Sequence, residues 1–148
     1  MNIFHSLRIS ASGLSAERVR LDTISANIAN ANTTRTEKGG AYRRQVALLA
    51  SVENEDSFKS ALRKAQSNMP PVDGVRVVGI VEDPSPMKMV YDPTHPDANE
   101  DGYVEYPNVD IMKEMVEAIT ASRAYEANVT ALNSTKSMFL KTLEIGKN

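Results

Sequence analysis

Cysteine and tryptophan are both absent from this chain, and aromatic residues of any kind make up only 5% of it. The missing cysteines remove disulfides, thiolate metal ligands and cysteine nucleophiles together, and leave the redox compartment open. Histidine is nearly absent too: the only two are His5 and His95, on segments with no evident reason to meet, so a histidine-based metal or acid–base centre lacks its second member. Charge of one sign is not in excess. Seventeen basic and nineteen acidic residues are interspersed along the chain for a net charge of −2, which gives no electrostatic footprint for nucleic acid or an anionic membrane. The longest wholly apolar run, Val46 to Ala50, falls far short of the ~20 residues a membrane-spanning helix needs. The opening MNIFHSLRISASGLSAERVR has neither a basic leader nor an unbroken apolar stretch, because Ser6, Arg8, Ser10 and Ser12 interrupt it, so a cleaved secretion signal is not expected. Proline, finally, is lacking at both ends. All seven prolines lie between positions 70 and 107.

What the proline-free ends contain is a pair of matching heptad repeats. From Ile111 the row runs in steps of four and three: Ile111, Met115, Ala118, Ser122, Tyr125, Val129, Leu132, Lys136, Phe139, Leu143. At the other end Leu7, Leu14, Leu21 and Ile28 stand a heptad apart, with Phe4, Ala11, Arg18 and Ser25 in the companion position. Such spacing predicts two helices, each with a narrow stripe that requires a partner helix. The first is expected over residues 3 to about 30. It closes in the asparagine-rich run NIANANTT, where Asn27, Asn30 and Asn32 tolerate left-handed or turn geometry. The second is expected after Pro107, capped by Asn108 or Asp110 and ended by Gly146. Gly13 weakens the first helix by ~1 kcal/mol relative to alanine.

Between the helices the periodicity changes. RQVALLASV reads as a strand, GVRVVGIVED and PMKMVY alternate, and GYVEY follows a polar turn, which together predict a small antiparallel sheet of two to four strands. Phe58, Ala61, Leu62 and Ala65 have helical spacing, but Pro70-Pro71 closes that segment at once, so it reads as a short surface helix or loop. The resulting class is α+β: an N-terminal helix over 1–32, a middle region with loop and sheet over 33–107, and a C-terminal helix over 108–148. With the ends claiming about half of 148 residues, any globular core must be small.

Candidate chemistry is thin. Asp97, Asn99 and Asp101 followed by Gly102 reproduce the first half of an EF-hand calcium loop, but position twelve is Asn108 rather than glutamate, and Pro96 and Pro107 bar the flanking helices. A solvated hairpin turn is the expectation there. Asp92, His95, Asp97 and Glu100 could be drawn as an acid–base or metal cluster, but no pocket-sized core or further ligand type supports one. Ser12-Gly13-Leu14-Ser15 lacks the pattern and the strand-to-helix setting of a nucleophile elbow and is expected on the helix surface. The chain thus reads as a non-enzyme with no metal or cofactor.

One narrow seam cannot hold a helix by itself. Burying a leucine contributes roughly 1.5–3 kcal/mol, against about 1–2 kcal/mol per residue to order the backbone. The ends either close on each other as a hairpin or assemble with other subunits. In the second case the interface comprises Leu7, Leu14, Leu21, Ile28, Ile111, Met115, Ala118, Tyr125, Val129, Leu132, Phe139 and Leu143, with Met112, Val116, Ile119 and Leu140 outside the main seam also available. Asn27, Asn30, Arg123, Glu126 and Asn128 are the candidates for polar contacts between subunits.

The segments SASGLSAERVRLDTISANIANANTT and YPNVDIMKEMVEAITASRAYEANVTALNSTKSMFLKTLEIGK resemble the paired terminal signatures of the bacterial flagellar rod and hook proteins. The acidic YDPTHPDANEDGYVEYPNVD and the short middle are similar to the proximal-rod members in particular, whereas residues 53–69 match poorly. The resemblance implies a structural subunit of the flagellar basal body, passed through the flagellar type III export apparatus without leader cleavage. It also implies polymerisation with other rod proteins and with copies of itself, the terminal helices forming a coiled-coil-like layer. In the cell-envelope rod, such a subunit would carry motor torque outwards. The rival from the residues is a soluble helical adaptor of a type III secretion system.

Overall fold

A computed structural model describes residues 3–37, 39–52 and 74–146. Its elements are α1 (Ile3–Ala29), β1 (Gln45–Ser51), β2 (Val75–Glu82), β3 (Lys88–Tyr91), β4 (Tyr103–Tyr106) and α2 (Ile111–Ile145). This is the α+β class, with helices at the ends and antiparallel strands between them. The strands form two separate two-stranded sheets, β1–β2 and β3–β4, rather than one. The expected helix or loop around Phe58 lies outside the described residues.

The helix ends follow from named groups. Asp110 caps α2: its carboxylate accepts from the Met112 and Lys113 amides at 3.0 and 3.4 Å, and its carbonyl accepts the first helical bond, from Glu114. Asn108, the other expected cap, has a different role described below. At the end of α1, Asn30 returns its side-chain amide to the Ala26 carbonyl at 2.9 Å and accepts from the Thr33 hydroxyl. The asparagine run makes its turn without left-handed backbone, since every positive φ among the described residues belongs to a glycine.

The chain divides into two compact units. The first comprises residues 1–18, 49–78 and 123–148. In it, α1 and α2 run antiparallel, with Phe4 edge-on to Phe139 at 6.3 Å between ring centroids. Gly13 is explained here: a Cβ at that position would lie 3.0–3.2 Å from the Asn128 side chain, so the glycine lets an asparagine amide lie against the helix backbone. Ser12, expected on the surface, pins the start of β2 instead. Its hydroxyl donates to the Ile9 carbonyl at 2.7 Å and accepts from the Val75 amide at 3.1 Å. That approach requires Gly74, whose φ is +110° and whose Cβ would fall 2.4 Å from the Ser12 oxygen.

The second unit comprises residues 19–48 and 79–122. Its buried apolar residues are Ile24, Ala31, Val104, Val109 and Ala121, a small set whose gaps are filled by polar side chains. β3 and β4 pair with Val90 opposite Val104 and Tyr91 opposite Tyr103, the tyrosine rings meeting edge-on at 5.3 Å. Asn99 shapes the connecting turn by accepting from the Asp101 and Tyr103 amides, and Gly102 takes a φ of +79°. The half EF-hand is thus a structured hairpin turn. Asp97, its first ligand position, accepts from the Thr34 hydroxyl at 2.8 Å and lies 3.7 Å from the Arg35 guanidinium.

Candidate functional site

A buried polar cluster organises the second unit, and sequence reasoning did not find it. Asn27, 1% exposed, uses all of its hydrogen-bonding capacity inside the chain. Its amide nitrogen donates to the Gln45 carbonyl at 2.8 Å and to Glu114 Oε2 at 3.0 Å. Its oxygen accepts from the Gln45 amide at 2.9 Å and the Tyr42 hydroxyl at 3.0 Å. A side-chain amide thereby stands in for a peptide of a neighbouring strand and pairs both backbone groups of the first residue of β1. Glu114, fully buried in the first turn of α2, holds two partners: Asn27, and Arg44 Nε at 2.7 Å. The helix N-terminus and two charge-assisted or polar donors let a carboxylate survive there.

Arg44 radiates from this point. Beyond Glu114 its guanidinium reaches Glu117 at 3.1 Å and Asp83 at 3.4 Å, and its backbone amide donates to Asn108 Oδ1 at 2.8 Å. Burial works against its charge, but the bond to Glu114 and the surrounding carboxylates outweigh that and raise its affinity for the proton. Asn108 donates in turn to the Asp83 and Ser85 carbonyls. The Asp83 carboxyl lies below its ordinary range, first because the Ser85 hydroxyl and amide bond to its charged form, then through Arg44. Tyr42 is displaced upwards, because burial disfavours phenolate and Glu114 and Glu82 repel it. A faint signal was present in the sequence: Glu114 shares a heptad column with Ala121, Asn128 and Thr135, the small and polar column rather than the bulky one.

That column is the one turned furthest inward. On α2 the deepest positions are Glu114 and Ala121; on α1 they are Ala16, Thr23, Ile24 and Asn27. The expected seam residues sit to the side. Leu7, Leu14, Leu21, Ile28, Ala118, Val129, Leu132 and Phe139 are half-buried, while Ile111, Met115, Tyr125 and Leu143 are exposed. The companion positions Phe4, Ala11, Arg18 and Ser25 face outward. Where a close contact between the helices is described, at Gly13 against Asn128, it is a small residue that allows it. Among the polar candidates, Arg123 pairs with Glu126 at 3.0 Å on the surface, and Asn128 donates to the Ala124 carbonyl.

Large apolar side chains remain uncovered. On the part of α2 in the second unit, Met112, Met115, Val116 and Ile119 are 72%, 51%, 62% and 62% exposed, at helical spacings of three, four and seven. On the part in the first unit, Met138, Leu140, Leu143 and Ile145 are exposed as well. Met89, Tyr91 and Tyr103 add an open face on the β3–β4 hairpin, and Val90, on the opposite face, is exposed as well. No described helix is long and apolar enough to cross a membrane.

Paired terminal helices, a small sheet-bearing middle and uncovered apolar side chains along the second helix define an α+β chain in which the described residues converge on a buried polar cluster. Residues 7–35 match the flagella basal body rod protein family, and residues 100–145 match the C-terminal family of the flagellar basal body rod FlgEFG proteins. Over 152 residues the chain is 50% identical to the flagellar basal-body rod protein FlgC of Bacillus subtilis, covering 99% of this chain and 100% of that one. It is 47% identical to the FlgC of Borreliella burgdorferi and 37% identical to that of Salmonella typhimurium, each match covering at least 98% of both chains. The chain belongs to the FlgC family of flagellar basal-body rod proteins, a non-enzymatic family of structural rod subunits.

Proposed function

We propose that this protein is built into the proximal part of the rod through its terminal helices, which engage other rod proteins and further copies of itself in a coiled-coil-like layer. It reaches that position through the flagellar type III export apparatus, with its N-terminal segment retained, and in the cell-envelope rod it passes motor torque outwards. The observation that carries this reading is the uncovered stripe Met112, Met115, Val116 and Ile119. Burying four such side chains contributes roughly 1.5–3 kcal/mol each, and a lattice repeats that gain at every subunit. Stiffness follows from the same repetition, because bending one helix disturbs the contacts of several neighbours.

The double substitution Val116→Asp/Ile119→Asp tests it. Both positions are exposed within the chain, so helical circular dichroism should be unchanged, while cells carrying the variant should lack complete basal bodies and motility. Normal motility would remove this stripe from the assembly.

A further inference from the structure

The heptad rows of α1 and α2 leave one choice open. An apolar row moved by seven residues still meets an apolar row, so Leu7, Leu14, Leu21 and Ile28 would accept α2 in more than one alignment. We propose that the buried Asn27–Glu114–Arg44 cluster is a register key that decides which heptad of α2 lies beside which heptad of α1. Moved one heptad in one direction, α2 would bring Pro107, four residues before its first turn, beside Asn27, where no helix exists to pair. Moved the other way, it would bring Ala121 beside Asn27. The amide would then lose its carboxylate acceptor, and Arg44 Nε would lose the partner it holds at 2.7 Å. Asn27 has no spare capacity with which to adapt, because all four of its hydrogen bonds are made in the native alignment. Arg44 and Tyr42 are held by Asp83, after β2, and by Asn27, neither of which moves with α2, so the bond from the Arg44 amide to Asn108, three residues before that helix, would be broken as well.

A size key acts independently within the first unit. Gly13 receives the Asn128 amide at a distance that a Cβ would make tight, and the same slide would present the β-branched Thr135 to that gap. Polar groups buried between helices commonly add little stability over well-packed apolar replacements, and their best-attested use is to select one alignment. One alignment matters for a subunit that must present the same uncovered stripe in every copy.

The absence of cysteine makes the test direct. Asp22→Cys and Lys113→Cys, both exposed in the second unit, would carry the only two thiols in the full-length chain, for spin labels read by pulsed electron resonance. In the otherwise native chain a single distance is expected. In Asn27→Leu/Arg44→Met/Glu114→Leu, helical circular dichroism should persist and a second population should appear, displaced as a slide of about 10 Å along the helix axis requires. Should that variant lose its helical signal, Asn27→Leu/Glu114→Leu, which leaves Arg44 its Asp83 and Glu117 partners, gives the same reading. A single unshifted distance in the folded variant would overturn the register key.

Discussion

The two units use the same pair of helices and hold them by opposite means. In the second unit the helices are joined through a polar cluster that also binds the Tyr42–Arg44 loop, the start of β1 and the Asn108 turn, so one network fixes four segments. In the first unit the described contacts include a phenylalanine pair, a glycine under an asparagine, and a serine bonded to the start of β2. The comparison teaches that one pair of helices is fixed by a buried polar network in one stretch and by close side-chain packing in the other, while exposed apolar side chains run along α2 in both. In the second unit Asn27 makes all of its hydrogen bonds inside the chain, and Met112, Met115, Val116 and Ile119 stay exposed on the same stretch of α2.

The sharpest way to break this contrast is on the first unit. Leu132 is half-buried on the α2 row, so Leu132→Asp puts a charge into a seam that should be dry, at several kcal/mol per subunit. Lys136→Asp, at an exposed position one turn away, should be milder because lysine already keeps its charge in water. The expected result is exported but unassembled Leu132→Asp protein and non-motile cells, with at least partial motility for Lys136→Asp. Normal motility in the first strain would show that the narrow seam needs no completion.

On the second unit the corresponding cut is Glu114→Ala, which strands the Arg44 Nε and one Asn27 donor in a buried site. Breaking a buried pair from one side costs about 3–5 kcal/mol, and the lower end applies here because Arg44 retains Asp83 and Glu117. Urea unfolding of the purified chain measures it; a loss under about 1 kcal/mol, the typical worth of an ordinary hydrogen bond, would deny the cluster its special weight.

A smaller effect separates helix propensity from packing at Gly13. Gly13→Ala in an Asn128→Ala background should stabilise by about 1 kcal/mol, the full propensity gain, since the crowding side chain is gone. In the native background the gain should shrink or reverse, because Asn128 must move from the Ala124 carbonyl it bonds. Equal gains in both backgrounds would mean that the close approach imposes nothing.

The smallest effect is alkaline. Tyr42 donates to Asn27 as the neutral phenol, and its folded-state affinity for the proton is raised. Stability from a raised group is complete below the ordinary phenol value of about 10 and is lost as pH rises through the folded value. Tyr42→Phe should therefore flatten the decline in the urea midpoint that the native chain shows as pH rises above about 10. Asp83, displaced downward, acts at the other end: its contribution is present at neutral pH and fades as pH falls through its lowered folded value.

Much of the fold could be read from short-range pattern. The proline-free heptads marked α1 and α2, the middle region read as a small sheet of two to four strands where the structure has four in two sheets, and Asp110 was one of two expected caps. The pattern marked faces by where bulky residues recur and gave no sign of which positions lie deepest. Those are Ala16, Thr23, Ile24 and Asn27 on α1 and Glu114 and Ala121 on α2, mostly small or polar residues. For Asn27 the sequence left open a contact between helices or subunits and a capping role; its bonds to Gln45, Tyr42 and Glu114, the last 87 residues away, are made within the chain. Ser12 and Gly13 likewise read as a surface serine and a weak point until Val75 and Asn128 are seen beside them.

By itself the sequence determined the class of the chain, the two long helices, the strands between them and membership of the rod family. Each depends on local periodicity or on the chain's own residue pattern, which a linear string records completely. Only the tertiary structure decided which side of each helix is used within the chain and which is left open. That choice depends on the volumes and hydrogen-bonding groups that long-range folding brings together, and a glutamate is tolerable at a buried position only when an asparagine and an arginine from elsewhere in the chain arrive to meet it.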